Sequence, residues 1–225
     1  MGSNILLRAG YTDNKIIGYK GSISKYNKAG ETVKILIFIS GLTSRIDKRS
    51  RENLVEKLSS QHNFAKDLAR FFGEKKIELI DFFSKILNTI GSIEIVKVIK
   101  KRIDLFKSEI IYTHNNGNLN IDNQIINKAV FNTFRQFMQN LIIKKLTFEF
   151  PYSFETKKNS QSNLFTPNLF INIHLDLSIK SESLKEYKDE IKKWPHPSTC
   201  KNVQITVFYK RAQVFIKKSE ILSLI

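Results

Sequence analysis

Apolar residues recur along this chain with two different periods, and the period changes between regions. Residues 33–39 are a β-branched and aromatic run closed by Ser40-Gly41, and they predict a buried strand. Before it, residues 8–32 are rich in Gly, Lys, Tyr and Asn, which suggests short strands such as 15–19 in a hairpin and a turn over 27–30. From residue 54 the spacing becomes helical. Leu54, Leu58, Ala65, Leu68 and Phe72 share one face, and Gly73 supplies a stop. Leu79, Phe82, Phe83, Ile86, Leu87 and Ile90 give the clearest helical period, which Gly91-Ser92 interrupts. Val96, Ile99, Ile103 and Phe106 continue it, with Lys97, Lys100, Lys101 and Arg102 crowding the opposite side.

Residues 113–123 are polar and carry an Asn-Gly turn signal at Asn116-Gly117. A further amphipathic helix is expected over about 124–145. The period then falls to two. Residues 146–150 alternate up to Pro151, residues 169–180 alternate throughout, and Val203, Ile205, Val207 and Tyr209 alternate again. Ser183 and Glu186 form a capping box for a short charged helix, residues 213–217 suggest another strand, and a helical turn is expected near 219–224. These patterns predict one α+β domain over 1–225, with a basic strand-containing segment at 1–51, a helical middle at 52–145 and an antiparallel β-rich part at 146–225.

Composition sharpens this frame. The chain holds 37 Lys or Arg against 21 Asp or Glu, a formal net charge of +16. The surplus sits at the ends, with +7 over residues 1–51 and +5 over 180–225. A field of this sign attracts polyanions. Lysines number 29 and arginines 8, which also matches the codon bias of an AT-rich genome and argues against dense base-specific readout. The leading expectation is a non-enzymatic RNA- or single-stranded-DNA-binding protein that contacts phosphates. Its candidate residues are Arg45, Lys48, Arg49, Arg51, Lys97, Lys100, Lys101, Arg102, Lys210, Arg211, Lys217 and Lys218.

A nuclease is the first alternative. Glu155-Thr156-Lys157 fits a carboxylate-x-lysine triplet, and His174 with Asp176 shares one face of an expected strand. The second alternative is a structural or interaction protein of an AT-rich virus, plasmid or organelle. No phosphate-binding glycine loop and no nucleophile elbow is present, so no small-molecule cofactor is expected. No metal site is expected either, since the four His are scattered. No apolar run reaches the roughly 18 residues of a membrane span. Cys200 is the single cysteine, and the first residues do not form a secretory signal. An intracellular, reducing compartment is therefore expected.

Overall fold

A computed structural model describes residues 3–10, 16–39, 77–81, 90–118, 121–135, 144–148, 167–173, 199–212 and 219–224. In chain order these form β1 (Asn4–Gly10), α1 (Ile16–Lys28), β2 (Thr32–Ile39), β3 (Ile77–Asp81), α2 (Ser92–Phe106), β4 (Ile110–His114), α3 (Ile121–Arg135), β5 (Lys144–Phe148), β6 (Leu169–Asn172), α4 (Cys200–Ala212) and β7 (Ser219–Leu224). The seven strands make one sheet in the order β3-β2-β1-β4-β5-β7-β6. The first five run parallel, and β7 is antiparallel to both β5 and β6.

Side chains on the central strands alternate between two cores. Ile5, Ile35, Ile37, Tyr112, Leu146 and Phe148 pack with Ile23 of α1 and Val207 of α4. Leu6, Leu36, Phe38 and Ile111 pack with Ile95, Ile99 and Ile103 of α2 and Ile126, Val130 and Phe134 of α3. A sheet covered by helices on both faces is apolar on both sides of each strand. That is why β2 reads as an unbroken hydrophobic run. The expected α+β class with an antiparallel β-rich C-terminal part is therefore corrected. The architecture is α/β, built on five parallel strands in a Rossmann-type order.

Several element expectations change with it. The hairpin around residues 15–19 is replaced at Ile16 by α1, whose Gly18 and Gly21 lower intrinsic helix propensity and masked the helix. Burial of Ile23 and a hydroxyl-to-hydroxyl hydrogen bond between Tyr26 and Tyr112 hold it on the sheet. The turn expected over 27–30 is present as the helix stop. Gly30 adopts φ 77°, Glu31 N donates to Tyr26 O at 3.0 Å and Gly30 N to Asn27 O at 3.1 Å. This is a Schellman closure, which needs a left-handed residue.

Leu79 and Ile80 lie on β3 and not in a helix, because residues 77–81 pair with β2. The expected strand at 203–209 is helix α4. Its alternation does not match burial, since Val207 is buried while Ile205 and Tyr209 are exposed. The Thr199 hydroxyl starts that helix by accepting from Asn202 N at 3.1 Å. Residues 219–224 form β7 and not a helical turn. The expectations for 33–39 and for the helix through Val96–Phe106 match β2 and α2; β5 covers 144–148, so the end of the helix expected over about 124–145 is strand, and β6 covers only 169–172 of the strand expected over 169–180. The 54–72 helix, the 183–193 helix and the 213–217 strand lie outside the described residues. No described helix is long and apolar enough to cross a membrane.

Candidate functional site

The strand order creates one special place. From β1 the chain passes through α1 to β2 on one side, and from β4 it passes through α3 to β5 on the other side. The two connections diverge at the carboxyl ends of neighbouring strands. Open α/β sheets bind their ligands in the crevice formed at such a switch point. On the β4 side the crevice is built by the turn 115–118 and the start of α3.

Carboxamides organise that turn. Asn115 Oδ1 accepts from Gly117 N at 2.7 Å, and Asn118 N donates to Asn115 O at 3.1 Å. Asn123 Nδ2 donates to Asn118 Oδ1 at 3.1 Å, and Gln124 Nε2 donates to Asn118 O at 2.6 Å. One turn further along α3, Asn127 Nδ2 donates to the backbone oxygen of His114 at 2.6 Å. Asn118, Asn123 and Asn127 are 2%, 4% and 2% exposed. Each carboxamide both donates and accepts, so a buried set of them can lock a loop without placing a charge in the interior. Asn116, at the turn's tip, is exposed.

His114 closes β4 at 1% exposure and sets its ring edge-on to Phe148, with centroids 4.9 Å apart. Strand alternation places it on the face shared by Tyr112, Leu146 and Phe148. Asn123 and Asn127 belong to α3, which packs on the other face. The N-terminus of α3 also lies at this edge, with Asp122 in its first turn, where the helix dipole favours negative charge.

Of the expected nucleic-acid contacts, Lys97, Lys100, Lys101 and Arg102 all lie on α2. Lys97 and Lys101 are exposed, the ordinary outer side of a helix whose Ile95, Ile99 and Ile103 are buried. Arg102 is engaged by Glu78 of β3, with Nε at 2.9 Å and Nη2 at 2.7 Å from the same carboxylate oxygen. Lys210 and Arg211 stand in helix α4 and not on a strand. Arg45, Lys48, Arg49, Arg51, Glu155, Lys157, His174, Asp176, Lys217 and Lys218 lie outside the described residues. Cys200 is the first residue of α4, a helix N-terminus that its proline-flanked sequence did not reveal. In sequence the carboxamide turn is visible as a polar loop with an Asn-Gly turn signal, not as a site. Its signal was position: a polar run between a buried strand and an amphipathic helix. That signal needed β4 to be recognised first.

No family model matches the chain, and no curated protein matches it. Solved structures do. An N,N′-diacetylchitobiose deacetylase from Pyrococcus horikoshii is similar at 13% identity with a TM-score of 0.73, over 99% of this chain and 83% of that one. A 4-carboxy-2-hydroxymuconate hydratase from Pseudomonas putida is similar at 11% identity and 0.69, over 99% and 96%. A zinc-inhibited form of a teicoplanin deacetylase is similar at 10% identity and 0.66, over 99% of both chains. These likenesses overturn the expectation of a non-enzymatic nucleic-acid binder with RNA or DNA as partner, and with it the nuclease alternative. The chain has the α/β fold shared by these solved structures, several of them deacetylases.

Proposed function

We propose that this chain is a hydrolytic enzyme acting on a small acylated, hydroxyl-rich molecule of the N-acetylated sugar class. Its site would be the crevice at the carboxyl ends of β1 and β4. The observation that carries this reading is the locked carboxamide turn at the switch point of a whole-chain deacetylase fold. Fold likeness alone does not fix the chemistry, since a hydratase shares the fold.

Deacetylation adds water to an acyl carbonyl, moves negative charge onto its oxygen and releases a protonated amine. The positive end of the α3 dipole would favour that developing charge, with the Asp122 carboxylate in the same first turn acting against it. The carboxamides act as positioning residues: they hold the turn, and the exposed Asn116 offers both a donor and an acceptor to a sugar hydroxyl. The test is acetate release from N,N′-diacetylchitobiose and from N-acetylglucosamine. Turnover that falls at least about tenfold in N116A, with unchanged melting temperature, supports the site. No acetate release from either sugar by the folded protein would sink the reading.

A further inference from the structure

Amide hydrolysis is often assisted by a divalent metal, which polarises the carbonyl and acidifies a bound water. Zinc is held by thiolate, imidazole or carboxylate. Among the described residues, the donor set of this crevice does not fit such an ion. The inward-facing polar side chains at the start of α3 are Asn123 and Asn127, and the turn before them contributes Asn118. All three are neutral carboxamides that already orient one another or the backbone. The one imidazole among the described residues, His114, is buried edge-on against Phe148 and belongs to the opposite face of the sheet. Among the described residues, no three His, Cys, Asp or Glu come together.

We propose that the crevice recognises its ligand without a resident divalent metal, as a neutral hydroxyl-bearing molecule held by the carboxamide turn. The inference rests on the proposed function for the identity of the ligand, but not for the statement about metal. Carboxamides match hydroxyl groups in both senses of the hydrogen bond, and Asp122 in the first turn of α3 is the one carboxylate among the described residues of the turn and the start of that helix, short of the ligands a zinc ion needs. Sugar binding and any acetate release are therefore insensitive to chelation.

The experiment uses the full chain, purified without chelator and dialysed. Metal content is read by elemental mass spectrometry, and ZnCl2 is titrated by calorimetry. N,N′-diacetylchitobiose is then titrated in EDTA and again with added ZnCl2. The expected result is far less than one metal per chain and the same sugar affinity in both buffers. N116A weakens that affinity about fivefold, the loss of one neutral hydrogen bond. One retained zinc per chain, or sugar binding that appears only with zinc, overturns the proposal. Folding of the variant does not decide the matter, because metal content and the EDTA comparison are read on the unaltered protein. If the sugar binds in neither buffer, the proposed function and the ligand part fall together, while metal content still judges the metal-free assignment.

Discussion

The Nδ2 of Asn127 stands 2.6 Å from the carbonyl oxygen of His114, so a helix side chain terminates the last strand before the crevice. Both partners are buried. A buried carbonyl stripped of its donor costs about 1–3 kcal/mol. Asn127→Leu therefore lowers the melting temperature by several degrees, read by thermal denaturation. Asn127→Asp loses the donor as well and should fare no better. A wild-type melting point in Asn127→Leu would show that the bond does not hold the turn.

Lys107 ends α2 in the left-handed region, at φ 47° and ψ 54°, and its N–H donates to Ile103 O. A residue with a Cβ is strained there, by about 1 kcal/mol or more, whereas glycine is not. Lys107→Gly accordingly stabilises the protein by about 0.5–1 kcal/mol, less than the full strain because glycine loses more chain entropy on folding. Urea denaturation checks it, and destabilisation would contradict it.

Thr199 caps α4 through its hydroxyl. Thr199→Ala costs about 1 kcal/mol, and Thr199→Ser recovers most of it. Equal denaturation midpoints for the Ala and Ser variants would show that the methyl group, and not the oxygen, matters at this buried position.

The Glu31 carboxyl is held above its ordinary value of 4.5, first by burial and then by the nearby charge of Glu109. The folded protein therefore keeps a proton on Glu31 to higher pH than the unfolded chain does. Stability falls as pH rises from the ordinary value through the raised one, then levels off. Glu31→Gln removes this decline, and Glu109→Gln reduces it. Denaturation midpoints between pH 4 and 7 provide the measurement. A Glu31→Gln profile parallel to wild type would rule the cause out.

The helix surface of α2 carries a charge that tertiary packing pairs. Arg102 has its partner in Glu78, 24 positions earlier in the chain, and only the packing of α2 near β3 brings the two together. Nothing in the local sequence distinguishes that arginine from Lys97 or Lys101 on the same helix.

Local chemistry was enough to set β2, α2 and the turn at Asn116-Gly117. An unbroken β-branched run, a 3.6-residue apolar stripe and an Asn-Gly pair each act over a few residues. Local chemistry also set the neutral character of residues 115–127, where carboxamides outnumber charged groups. The tertiary structure decided the rest. A parallel strand gains its hydrogen bonds from a neighbour a whole crossover away, so β1 and β4 carry no turn signal linking them. Residues 203–209 alternate as a strand would, yet the Thr199 cap and the seat for Val207 make them a helix. The crevice itself exists only because β1 and β4 lie side by side while their connections part, a relation between segments about a hundred residues apart that no local pattern encodes.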